Sequence, residues 1–261
     1  MRPRAVVAAF KQQAIHFISD PQWIIPSILS PLLFTAVMLM LYRDLTGPVV
    51  LQAVLGGGVL GMWANTLFSS SYSISFDRYN GTLEPLLLSP SEITDIVAGR
   101  ALWNALIGLS NALLVFLVSE LVFHTEVSLL DPVMFFLTLV LTLVSLAVIG
   151  ILLSTAFVLS RMGSVVASMA EYPIYVLSGA LVPITILPSG LQYISYALPP
   201  TWGVDAVKLA AVEGYQSMMG ADMLVDIAMV ILLTVLYFLI ARFLLKRIER
   251  RILETGSSTV Y

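Results

Sequence analysis

Long apolar runs make up most of this chain, and the polar interruptions are few enough to be read one by one. The first run, from about Trp23 to Tyr42, opens behind Asp20-Pro21, a side-chain cap followed by proline at the first helical position. Pro26 and Pro31 lie inside it and predict a kink. After the turn Arg43-Asp44-Leu45-Thr46-Gly47-Pro48, a second run covers about Val49 to Tyr72, where Gly56, Gly57, Gly58 and Gly61 allow close helix packing. A third run ends near Val122. Asp131-Pro132 repeats the cap-and-proline start for a fourth, which reaches about Leu159. Ser160 to Ser164 reads as a tight turn, a fifth run covers about Val165 to Val182, and a sixth about Met223 to Leu245. Each approaches the roughly 20 apolar residues that a helix needs to cross ~30 Å of hydrocarbon.

Three stretches depart from this pattern. Residues 1–20 hold R-A-V-V-A-A-F-K-Q-Q-A-I-H-F-I-S. On a helix, Val6, Phe10, Ala14 and Phe17 share one face, Arg4, Lys11, Gln12 and His16 lie mostly around the other, and Ile15 falls off the apolar stripe. That is expected to be an amphipathic helix lying in the leaflet interface, the alternative being a frayed extension. With Arg2, Arg4, Lys11 and Asp20 and no apolar core before a small-residue site, it is not expected to be a cleaved signal peptide. Residues 183–205 are apolar and aromatic but broken by Pro183, Pro188, Pro199 and Pro200, so no piece can span. Short re-entrant or interfacial helices are expected there, with Tyr193, Tyr196 and Trp202 as interface anchors. The third stretch, Ser73 to Arg100, is a charged island between the second and third runs.

Composition agrees with a polytopic membrane protein: 59% hydrophobic residues and 11% charged, with mean hydropathy +0.95, against roughly half and a quarter in soluble domains. There are no cysteines and only two histidines, His16 and His124, so disulfides, thiol chemistry and a compact zinc site are excluded. No Gly-Lys-Ser/Thr follows the glycine run, so the chain carries no phosphate loop of that type. Orientation follows from the placement of lysine and arginine. With six spans and both ends inside, only Arg43 and Lys208 of the 13 basic residues are external. The island is then cytoplasmic and the proline-broken stretch external, in an all-α protein with one transmembrane domain.

Within the island, Ser89-Pro90-Ser91-Glu92 reads as a capping box that starts a new helix. Before it, a short helix breaks at Gly81 and an apolar patch carries Leu83, Leu86, Leu87 and Leu88 beside Asp77, Arg78 and Glu84. Charge and leucine together suit docking to a soluble partner, while an ordinary loop packed on the membrane surface fits the composition equally well. Elsewhere, Glu171 lies about two turns into the fifth run. It is either a buried functional carboxylate or a solvated anchor at the headgroups. Asn65, Asn104 and Asn111 are polar groups in apolar runs that glue helices or line a translocation path, and Glu120 fits a solvated rim.

The run F-D-R-Y-N-G-T-L-E-P-L-L-L-S-P, with Gly99-Arg100 following, resembles the signature loop of permease subunits of type-2 ATP-binding-cassette exporters. Asp77 stands where glutamate is commoner there, and Arg100 where lysine is usual; both keep the charge. The layout resembles that family too: an interfacial helix, six spans, and an external broken segment with Ser178-Gly179, Pro183, Leu187-Pro188 and Pro199-Pro200-Thr201. The resemblance implies a permease working as a homodimer or a paralogous heterodimer in a prokaryotic plasma membrane. ATP and Mg would be bound by a separate ATPase subunit, with no cofactor, metal or nucleic acid on this chain. Residues 73–90 would be a coupling loop, with Asp77, Arg78, Gly81, Thr82 and Glu84 meeting the ATPase. Its cargo would be an amphipathic small molecule, lipid or peptide moved outward. The alternatives are a polysaccharide or lipid-linked glycan exporter, a proton-coupled secondary transporter working through Glu171, and an intramembrane enzyme, for which no nucleophile–base or metal cluster is visible.

Overall fold

The computed structural model describes residues 2–19, 21–40, 48–63, 66, 77, 80–82, 85–86, 89, 91–124, 129–158, 169, 173–180 and 182–255. Its long elements are all helices. They are α1 (Pro3–Ser19), α2 (Pro21–Met40), α3 (Pro48–Trp63), α4 (Ile93–Phe123), α5 (Pro132–Val158), α6 (Ser189–Ala197), α7 (Pro199–Ala211) and α8 (Met223–Thr255), with a 3₁₀ turn at Ile184–Ile186. Three are long and apolar enough to cross a membrane among the described residues: Ile93–Phe123, Pro132–Leu153 and Met223–Arg247. The turn after Tyr42, the turn at 160–164 and most of the expected fifth span lie outside the described residues.

α3 is buried on almost every side, so its sequence shows no polar face. Its glycines let the neighbours close in. A Cβ on Gly57 would sit 1.8 Å from Thr35 Oγ1 on α2, and one on Gly58 3.3 Å from the Phe116 ring on α4. The Tyr175 hydroxyl donates to the Gly56 carbonyl at 2.8 Å, tying the segment at 173–177 to α3. The main core gathers Leu55, Met62 and Trp63 of α3, Ala105 and Ala112 of α4, Phe135, Leu139 and Leu146 of α5, and Val204 and Val207 of α7. Buried hydroxyls on α5 are satisfied within the helix: Thr142 Oγ1 donates to the Thr138 carbonyl and Ser145 Oγ to the Thr142 carbonyl, each at 2.7 Å.

The helices define two ends. At one, the Asp95 end, Ile93 and Val97 of α4 pack with Ile151 of α5 and Ala241 and Leu245 of α8. At the other, the Asp131 end, the N–H groups of Leu130 and Asp131 donate to the carbonyls of Ala211 and Ala210 on α7, at 3.1 and 2.9 Å. Asp131 caps α5 as its sequence predicts, Oδ1 accepting from the N–H groups of Val133 and Met134 at 3.0 and 3.1 Å. α1 and the last turns of α8 both belong to the Asp95 end.

One expectation is corrected. The capping box at Ser89–Glu92 does not form: α4 starts at Ile93, with Glu92 in an extended conformation and no side-chain cap bond. The first turn is served instead by Asp95, a carboxylate at the positive end of the helix dipole. The apolar stripe of α1, for its part, meets protein. It packs on α4, with Ala9 buried and Phe10 and Phe17 meeting the Trp103 ring edge to face at 5.3 and 6.4 Å between centroids.

Candidate functional site

The first three turns of α4 carry the densest set of buried polar groups near the island. Asp95, Arg100 and Asn104 are all buried there. α1 lies across them because Gly99 lets it: a Cβ at Gly99 would stand 2.3 Å from the Val6 carbonyl and 2.8 Å from Ala9 Cβ. With the backbones this close, polar ends of α1 reach α4 directly. The Arg2 backbone N–H donates to Asp95 Oδ2 at 2.9 Å. Gln13 Nε2 donates to Asn104 Oδ1 at 3.2 Å.

Arg100 is the centre of this junction. Its Nη1 bonds Asp77 Oδ2, its Nη2 donates to Asp77 Oδ1 at 3.2 Å, and Nη2 also donates to Gln12 Oε1 at 3.1 Å. The pair is inside the protein, the side chains 5% (Arg100) and 9% (Asp77) exposed. A guanidinium can hold a carboxylate with both nitrogens and still present a donor sideways. One side chain thus links the island, α4 and α1.

Beyond Asp77 the chain turns back on itself. The Thr82 N–H donates to the Asp77 carbonyl at 2.8 Å, and Thr82 Oγ1 donates to the same carbonyl at 3.2 Å and to Asp77 Oδ1 at 3.3 Å. Gly81 makes the turn at φ +70, with nothing within 4 Å of where a Cβ would be; this is how a helix ends on glycine. The Leu86 N–H then donates to the Thr82 carbonyl at 3.2 Å. Asn80, Gly81, Thr82 and Pro85 are exposed, whereas Leu86 is half-buried.

The expected site residues therefore divide. Asp77 is turned inward, while Gly81 and Thr82 are presented outward. Asn104 bonds Gln13, and Asn111 Nδ2 donates to the Ser27 carbonyl on α2 at 2.8 Å, so both described asparagines join helices. Arg78, Glu84, Asn65 and Glu171 lie outside the described residues. Sequence reading passed over Gln12 and Asp95, because a glutamine on an amphipathic helix and an aspartate in a first turn carry no signal of a distant partner. Among the described residues, no group of His, Cys, Asp and Glu could hold a metal ion.

A second polar cluster, at the Asp131 end, was also passed over. Asp205 on α7 accepts from Tyr215 Oη at 2.9 Å, Ser217 Oγ at 2.6 Å, and the N–H groups of Met218 and Met219 at 3.0 and 3.3 Å. One turn on, Lys208 Nζ donates to the Gly179 carbonyl at 2.8 Å. α7 thereby fastens the turn at 178–180 on one side and the loop before α8 on the other. Burial pushes the Lys208 ammonium down to about 8, and Asp205 opposes that shift. Burial first, and then Asp205, raise the Tyr215 phenol above its usual range. A lysine that holds its proton less tightly when folded destabilises the fold fully below pH 8, and this cost fades as pH rises to the unfolded value near 10.4. Thermal stability of the purified chain is therefore expected to rise between about pH 8 and 10.4, the folded and unfolded values of Lys208. Lys208→Met should flatten that rise; an unchanged slope in the variant would assign it elsewhere.

These features describe a multi-pass helical membrane protein with a charged junction between its first helix, a loop and a spanning helix. The family model of the ABC-2 type transporter matches residues 4–212, and the chain belongs to that family. Its members are the transmembrane permease components of ABC transporters, with the ATPase in a separate subunit family. No curated protein matches the sequence.

Proposed function

We propose that this chain is the permease half of an exporter in which a separate ABC ATPase subunit docks on residues 73–90. Six spans would be formed by α2, α3, α4, α5, the run at about 165–182, and α8, with both ends in the cytoplasm of a prokaryotic cell and a second permease copy completing the path. The cargo would be an amphipathic small molecule, lipid or peptide. The observation that carries the reading is the Asp77–Arg100–Gln12 junction. A loop that displays Gly81 and Thr82 outward is bonded from behind to a spanning helix and to α1. A push on such a loop moves helices as bodies rather than bending a free linker. The shared end of α1 and the last turns of α8 supports an even number of spans, and the basic residues favour that end as cytoplasmic. Within this reading Arg78 and Glu84 meet the ATPase, and Asp77 transmits rather than touches.

The experiment is co-purification with an ABC ATPase subunit co-expressed with the permease. Arg78→Glu combined with Glu84→Lys is expected to weaken association roughly tenfold, the scale of a lost pair of interfacial charges, and to abolish permease-stimulated ATP hydrolysis. Intact association and stimulation would remove the coupling role from this loop. Transport in vesicles without ATP would overturn the exporter reading altogether.

A further inference from the structure

The start of α8 buries a carboxylate that nothing answers. Asp226 lies in the first turn and is 0% exposed. Among the described residues, neither of its oxygens has a hydrogen-bond partner. The helix start is closed without it: the N–H groups of Val225 and Asp226 donate to the Asp222 carbonyl at 2.8 and 3.1 Å. Asp205, across on α7, is the opposite case. Each of its oxygens accepts two donors, so its charge is met by hydrogen bonds. The Tyr215 phenol feels both carboxylates, raised first by burial, then by Asp205 and by Asp226.

The charged and titratable groups around Asp226 are few among the described residues. α7 brings Asp205 and Lys208, and the loop before α8 brings Tyr215 with the exposed Glu213 and Asp222. α5 also packs on α8 and starts at Asp131, whose carboxylate caps its own helix. α4 meets α8 at the other end. One buried ammonium therefore stands against two buried carboxylates, and it donates to the Gly179 carbonyl. The positive end of α8 favours an anion, but it offers only a fraction of a charge. An unpaired carboxylate taken out of water loses its whole hydration, and the Asp205 charge opposes it as well. A metal ion would need several oxygens around it, and those of Asp205 are already engaged.

We propose that Asp226 is a proton-binding site at the Asp131 end, and that α8 packs on α7 there only while the proton is bound. Release of the proton leaves two like charges in one dry contact. The first turn of α8 then moves off α7, and the loop before it opens to water. In the orientation given above this is the outer face, so external pH would set how firmly that face is closed. The site itself needs neither the ATPase nor the coupling loop, and its failure would leave their roles untouched.

Infrared spectra of the reconstituted chain, titrated between about pH 5 and 9, test the site. Ordinary aspartates are ionised above about pH 4. The expected result is a protonated-acid carbonyl band that persists beyond pH 6 and is then lost with rising pH. The band should be absent in Asp226→Asn and retained, at a shifted position, in Asp226→Glu. The chain has no cysteine, so Met218→Cys adds a single thiol at a buried loop position to report the opening. Its rate of reaction with a maleimide, divided by the rate in Met218→Cys/Asp226→Asn at the same pH, should rise as the band disappears. No such band in the parent chain, or the same band in Asp226→Asn, overturns the proposal. So does a band that sodium removes at constant pH while potassium does not, by giving the site to a metal cation. A rate ratio that stays flat across the titration overturns the link to packing.

Discussion

Arg100→Ala is expected to cost about 3–5 kcal/mol, because it leaves the Asp77 carboxylate buried without a counter-charge. The loss should appear as a lowered melting temperature in detergent, together with loss of ATPase stimulation by the reconstituted permease. Arg100→Lys keeps the charge but not the fork. One ammonium cannot repeat the two bonds to Asp77 and the third to Gln12, so an intermediate result is expected. The informative variant removes both partners. Asp77→Leu/Arg100→Met takes away the charges together with their desolvation cost, and is expected to melt near the parent. It should still fail to stimulate the ATPase, since nothing then bonds the loop to α4 and α1. A double variant that melts normally and stimulates normally would show that the pair is only packing; Arg100→Ala melting with the parent would show that it is not buried as described.

Gly99→Val is the second large effect expected. The new Cβ would meet the Val6 carbonyl at 2.3 Å and Ala9 Cβ at 2.8 Å, both fixed parts of a neighbouring helix. The side chain cannot turn away, so α1 must lift, at a cost of ~1–3 kcal/mol for overpacking or release of the helix. Lifting separates Phe10 and Phe17 from Trp103 and Gln12 from Arg100. Tryptophan emission should shift and ATPase stimulation should fall while the spanning helices stay folded. Unchanged emission and stimulation would mean that α1 is not seated on α4. Together the two variants separate the strut from its brace: one cuts the bond to the loop, the other removes the helix behind it.

The long helices were legible because a membrane leaves the backbone few options. A helix satisfies its own N–H and C=O groups, so an apolar run of sufficient length announces itself. α4, α5 and the start of α8 fall where the pattern predicts. So does the Asp131 cap, a local device in which a side chain bonds N–H groups two and three residues ahead. The Ser89 capping box had the same local pattern and did not form, since the helix start is settled by what packs around it, here α1 and Asp95. The island drew notice as charge in an apolar chain, and Gly81 as its turn. What the sequence could not carry was direction: nothing in Asp77 itself tells a contact with a partner from a bond to Arg100, 23 residues away.

α1 shows the same division. Its amphipathic pattern was plain, but two apolar faces about a third of a turn apart merge in a single stripe reading, and Ile15 was set aside as off-pattern. Periodicity counts apolar positions without saying what solvates them, and here one set is solvated by protein and the other is open. By itself, the sequence determined that this is a helical membrane protein with a charged loop between its second and third runs and no phosphate loop of its own, because length, hydropathy and charge act locally. Only the tertiary structure decided that Arg100 joins that loop to α1 and α4, that Asn104 and Asn111 fasten helices, and that Asp205 and Lys208 clamp the opposite end. Each of these depends on groups far apart in the chain meeting in a low-dielectric interior, where a buried charge must find its partner and the fold alone supplies it.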